Sequence, residues 1–234
     1  MQSILKRELR AYFYSPLGYV FIGAVFLFSG YYFYSYNLSV STTDMGTLFS
    51  LLFPVIMFLV PVLTMRLLSE DKRLKIDQQL FTLPITKVGI VLGKYLAALF
   101  IYVIAISSTL IEAMVMSFYG TVTWSEVIGN FTGLLLLGTT LIAICLFVSA
   151  LTESQVVAAV IGFIISLFLM LSDAFVYIVN NDFLKTLFYS ISIKNRYTPF
   201  TLGIFEFSGT VFFISFAALF LCLTIAVLDR KRWS

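Results

Sequence analysis

The chain has 234 residues, of which 60% are hydrophobic and 12% charged, with a formal net charge of +3 and no histidine. An ordinary soluble domain carries about 25% charged residues, and a fold in water cannot hide this much apolar surface, so the composition excludes a soluble protein. Without histidine the commonest general base and metal ligand are missing, and Cys145 and Cys222, far apart inside apolar runs, offer neither a disulfide framework nor a metal-binding spacing.

The first predicted element is Ile4 to Phe13. At 100° per residue, Ile4, Leu5, Leu9, Tyr12 and Phe13 fall on one half of the wheel and Lys6, Arg7 and Arg10 on the other. That is the pattern of a helix lying in the membrane interface, where cations meet anionic lipid. Ser15-Pro16 breaks it. No small-residue cleavage site follows the next apolar run, so the segment is expected to stay attached.

Apolar runs then occur at 16–36, 47–68, 90–118, 127–151, 156–179 and 208–228. At 1.5 Å rise per residue, about 20 helical residues cover the roughly 30 Å hydrocarbon core, so each run is long enough to cross. The runs are apolar on every side, whereas barrel strands alternate, and the fold class expected is all-α: a polytopic membrane protein with six transmembrane helices in one domain over 1–234. The short break Thr152 to Gln155, holding Glu153, is read as separating spans four and five. Of the fifteen basic residues, only Lys185, Lys194 and Arg196 fall on one side under this reading. The others flank the termini and the connection between spans two and three, while 37–46 and 119–126 carry no Lys or Arg. The bias places both termini in the cytoplasm.

The connection Ser69 to Lys87 has a polar arc of Asp71, Lys72, Lys75, Gln78, Gln79 and Thr82, with Leu74, Ile76, Leu80, Phe81 and Leu83 covering most of the rest. It reads as a helix along the membrane face that Pro84 ends, either a solvated loop or a docking element. Between spans five and six, Asn180 to Phe207 is too long for a turn. Phe183, Leu184, Leu187, Phe188 and Tyr189 have helical spacing, and Tyr197, Pro199, Phe200 and Gly203 suggest a broken second piece lying on the membrane or re-entering it. Two acids sit within spans, Glu112 in the third and Asp173 in the fifth. At a helix centre each would cost about 2.5–3.5 kcal/mol, less near the outer ends where these lie. With Lys194 and Arg196 they are candidates for a translocation path or gate.

The opening Lys6-Arg7-Glu8-Leu9-Arg10, the following Ser15-Pro16-Leu17-Gly18-Tyr19, the acidic Ser69-Glu70-Asp71, Leu83-Pro84-Ile85 and Leu92-Gly93-Lys94-Tyr95-Leu96-Ala97 together resemble the permease subunits of type-2 ATP-binding cassette (ABC) transporters. Within that family the chain is similar to the six-span permeases of bacterial gliding motility and nitrous oxide reductase maturation. It departs from the family's frequent Gly-Thr-x-Glu stretch, reading Lys75-Ile76-Asp77-Gln78 there. The resemblance implies a coupling helix over 69–84, with Glu70, Asp71, Arg73, Lys75, Asp77 and Gln78 meeting a separate ABC ATPase subunit that binds ATP and Mg. It also implies a second permease chain as homo- or heterodimer, short external helices over the exit, location in the cytoplasmic (inner) membrane among its lipids, and export by alternating access. Neither a cofactor on this chain nor nucleic acid is implied. No Gly-x-x-x-x-Gly-Lys-Ser/Thr phosphate loop occurs, so the chain would not be an enzyme by itself. Rival readings are an ion-coupled carrier or channel using Glu112 and Asp173, or a scaffold. A carrier should show internal repeats, and none is convincing between 1–118 and 119–234.

Overall fold

The computed structural model describes residues 2–40, 42–75, 86–178 and 192–230. Regular structure among them is helical throughout. Helix α1 is Gln2–Tyr14, and α2, Pro16–Tyr32, starts where Pro16 takes a first-turn position that needs no N–H. It runs on into a π-helical turn, Phe33–Leu38. Helix α3 is Gly46–Thr64, and a short turn leads to α4, Ser69–Arg73. Helix α5, Lys87–Ile106, begins with the Thr86 hydroxyl accepting from the Gly89 N–H. After a break at Ser107 it continues as α6, Ser108–Ser117. The remaining helices are α7, Trp124–Leu151; α8, Gln155–Ile178; α9, Ile193–Thr201; and α10, Phe207–Arg230.

Six of these units are long and apolar enough to cross a membrane: α2 with its π turn, α3 with α4, α5 with α6, then α7, α8 and α10. The turn at 152–154 keeps α7 and α8 apart, so they form two spans. Successive spans alternate in direction. One end, here the α1 end, gathers α1, α4, the starts of α5 and α8 and the finish of α10. The far end gathers the π turn, the start of α7, and α9.

Helix α7 is the hub: 78% of its apolar window is buried, against 28% for α2 and 22% for α10, and it packs on α3, α5, α8, α9 and α10. Lipid gives helices no hydrophobic reason to associate, so close approach and polar ties must do it. At Gly138 an added Cβ would lie 2.1 Å from the ring of Tyr102, whose hydroxyl donates to the Leu134 carbonyl at 2.5 Å. The Thr140 hydroxyl reaches the Phe213 carbonyl of α10 at 3.0 Å. The Gly-Thr-Thr stretch thus serves packing.

Candidate functional site

Helix α1 buries Ile4, Glu8 and Tyr12, one residue per turn, and leaves Lys6 and Arg10 exposed. Its approach to α5 depends on Gly93, where a Cβ would come within 2.9 Å of the Ile4 side chain. Tyr12 donates to the Leu63 carbonyl at 2.9 Å, fixing α1 to the end of α3. An amphipathic helix would ordinarily turn only apolar residues to this face, and Glu8 is the exception.

The partner of Glu8 is Lys94, on the next residue of α5 after Gly93. Its side chain is 1% exposed, its ammonium lies 3.0 Å from the Glu8 carboxylate and 2.8 Å from the Asp71 carboxylate, and it also donates to the Leu67 carbonyl. Arg7 closes the cluster at 2.7 Å from Glu8 and 3.5 Å from Asp71. Two cations and two carboxylates from α1, α4 and α5 therefore balance. A lysine this deep in a span needs such partners, because an unpaired ammonium there is costly. Burial alone would raise the Glu8 carboxyl, yet the Lys94 ammonium and the Arg7 guanidinium outweigh it and hold the group below its ordinary value.

A second pair lies alongside. Arg66 meets Glu70 one turn on at 3.0 Å, donates to the Ser15 hydroxyl at 2.6 Å, and sits 5.7 Å from the Tyr12 ring centroid. Between the two groups is an open cavity of about 200 Å³ lined by Arg7, Glu8, Arg66, Glu70, Asp71 and Lys94, among others. Helix α4 is also held from the α7 side. The backbone N–H groups of Leu68 and Ser69 donate to the Ser149 hydroxyl at 3.1 and 3.0 Å, and the Lys72 ammonium donates to the Ala150 carbonyl in the last turn of α7. Carbonyls there lack partners within their own helix.

Of the residues expected to meet an ATPase, Asp71 faces into this cluster and Glu70 turns to Arg66, while Arg73 and Lys75 are exposed. Lys75 ends α4 with a left-handed backbone, φ 55°. Asp77 and Gln78 lie outside the described residues. Sequence reasoning used Lys94 only in the charge bias and within the Leu92 to Ala97 motif, and Glu8 only within the opening motif. The signal for both was a lone lysine several residues inside an apolar run, which calls for a buried carboxylate.

At the far end, α9 is wedged between other helices with Ile193, Tyr197 and Phe200 buried. Gly133 of α7 makes room, since a Cβ there would lie 2.8 Å from Phe200 and 3.1 Å from the Tyr197 ring. Tyr197 donates to the Phe49 carbonyl at 3.3 Å. Asp173 accepts from the Ser192 hydroxyl and lies 3.9 Å from the exposed Lys194, so the structure brings those two predicted residues together. Arg196 points elsewhere, to the Ser208 hydroxyl at 2.9 Å and the Phe212 ring. Glu112, on α6, joins neither group.

No curated protein matches the chain. A family model described as ABC-2 family transporter protein matches residues 18–227, which takes in nearly every helix from α2 to α10. Six apolar spans, a small polar assembly where α4 meets the bundle and that match agree: the chain belongs to the ABC-2 family of transporter proteins, as a multi-pass membrane permease component.

Proposed function

We propose that this permease serves an ATP-driven exporter, moving its substrate by alternating access powered by a separate ABC ATPase that binds ATP and Mg. The observation that carries the reading is the Lys94 cluster, which ties α4 at once to α1 and α5. A partner pushing on 69–84 would move three elements as a unit instead of bending a loop. Rigid-body shifts of packed helices are the usual form of such switching. Glu70, Arg73 and Lys75, with Asp77 and Gln78, form the contact surface. Asp71 acts behind them as a positioning residue. A second permease chain completes the path, the α1 end faces the cytoplasm, and Lys6 and Arg10 rest on anionic lipid of the inner membrane. Asp173 with Lys194, Arg196 and Glu112 belong to the outer half, toward the exit.

The test is affinity purification of the tagged chain from its native membrane in mild detergent, with mass spectrometry and an ATPase assay. A stoichiometric cassette ATPase is expected. The double variant Arg73→Glu, Lys75→Glu should lose it while keeping wild-type thermal stability. Asp71 is unsuitable for this purpose, because its replacement strands Lys94. Undiminished recovery of the ATPase with the double variant, or recovery of the chain alone from wild type, would overturn the reading.

A further inference from the structure

At the far end, α3 and α9 enclose an open cavity of about 230 Å³, lined by Ser50 and Phe53 on one side and by Lys194, Tyr197, Thr198 and Thr201 on the other. Phe53 and Tyr197 are 5% and 3% exposed, with ring centroids 5.1 Å apart, and give the cavity an aromatic floor. Ser50 and Thr198 are exposed and Thr201 is half-buried, which gives it a hydroxyl rim. Lys194 alone among these residues is charged. Its side chain is 59% exposed and meets Asp173 only at 3.9 Å. At about 30 Å³ per water the cavity holds roughly seven or eight waters, the bulk of one small polar group.

The hydroxyl hydrogens of the rim are already committed. Ser50 donates to the Gly46 carbonyl at 2.9 Å, Thr198 to the Lys194 carbonyl at 2.8 Å, and Thr201 to the Thr198 carbonyl at 2.7 Å. A hydroxyl has a single hydrogen, so each of these oxygens keeps only lone pairs to offer. Pro54 adds a fourth acceptor, because it has no N–H and the Ser50 carbonyl one turn back lacks its usual helical donor. The rim therefore accepts without donating, and its complement is a donor group. A primary ammonium carries three N–H donors, and electron-rich rings favour it further. Lys194 would repel an ammonium on its own. A phosphate joined to that ammonium lies between the two cations and pairs with Lys194 at the open side.

We infer that the cavity between α3 and α9 binds a phosphoethanolamine group, with its ammonium on the hydroxyl oxygens of Ser50, Thr198 and Thr201 and its phosphate on Lys194. Such a group occurs both as a phospholipid headgroup and as a soluble ester. The cavity lies where apolar spans end, and Leu202, Ile204 and Phe205 are exposed just beyond it, which favours the membrane-borne form. A headgroup held there ties α9 to α3 alongside the bond from Tyr197 to the Phe49 carbonyl. The inference stands apart from the ATPase reading and needs no partner subunit.

The full-length chain in mild detergent gives the test, by native mass spectrometry after addition of dioleoyl phospholipids that differ only in headgroup. Expected is a graded series of retained adduct. Phosphatidylethanolamine stands highest, its monomethyl and dimethyl forms fall as each N–H is replaced, and phosphatidylcholine lies roughly tenfold below the top. Phosphatidylglycerol, which keeps the phosphate and adds hydroxyls but has no cation, should fall with phosphatidylcholine. Equal retention of the ethanolamine and choline lipids, or of the ethanolamine and glycerol lipids, overturns the site. The triple variant S50A, T198V, T201V should erase the preference at an unchanged thermal midpoint, and a preference that survives in it overturns the site as well. Should that variant fail to fold, K194Q takes its place, at an exposed side chain. It should bring the ethanolamine lipid down toward the choline level, and an unchanged series overturns the site. Added soluble phosphoethanolamine then assigns the source: displacement of the adduct upholds the site for the free group, and no displacement upholds it for the lipid.

Discussion

The two ends of this bundle are held by different physics. At the α1 end, three elements meet through charge: Lys94 bridges Glu8 and Asp71, and Arg7 closes the group. At the far end, α9 is seated by shape, with Phe200 and Tyr197 against Gly133 and the one ion pair there among the described residues, Asp173 with Lys194, long and open. Charge gives directional contacts that fail together when one partner changes. Shape gives contacts that fail one volume at a time. On the function proposed above, the end that accepts a push from a partner gains from the first kind, and the end that seals gains from the second.

The largest effect should come from stranding the buried carboxylates. Lys94→Met is expected to destabilise the chain by about 3–5 kcal/mol, read as a lower thermal midpoint in detergent, because one partner of a buried pair is removed. Adding Glu8→Gln and Asp71→Asn should restore most of it. If the triple variant is as unstable as the single, charge is not what holds this end. Next is Gly133→Val, which drives two methyl groups toward Phe200 and should cost about 1–3 kcal/mol by overpacking, with no dependence on pH or salt. The smallest effect is acid. The folded-state Glu8 carboxyl lies below its ordinary value, so its contribution is full above that ordinary value and is lost as pH falls through the lower folded one. The stability gap between wild type and Glu8→Gln should therefore shrink on acidification through the carboxylate range, while that between wild type and Gly133→Val should not.

Six spans were legible because a run of twenty apolar residues has few alternatives, and even the brief interruption at Thr152 marked a helix end. That Gln2–Tyr14 forms a helix with Ile4 and Tyr12 on its buried face was legible from its wheel. What the wheel could not supply was the partner of Glu8, which lies 86 positions away on another helix. Pairings at that separation are fixed by how helices cross, and no local pattern encodes the crossing. Gly93 was visible beside Lys94, yet its use, as the notch that admits Ile4, appears only when α1 lies against it. Likewise Asp71 and Lys75 sit on one polar arc by spacing, although one turns inward and the other outward, because α4 stops after five residues and Lys75 leaves the helix.

The charge cluster has a consequence for how the sequence can drift. Its formal charges cancel across Arg7, Glu8, Asp71 and Lys94, so a change at any single one leaves the group with a net charge, whereas coordinated exchanges keep the sum at zero. Neutral paths between related permeases therefore run through paired steps. Positions 8, 71 and 94, distant in the chain, should vary as a set in an alignment of close relatives, while Lys6 and Arg10 beside them vary one by one.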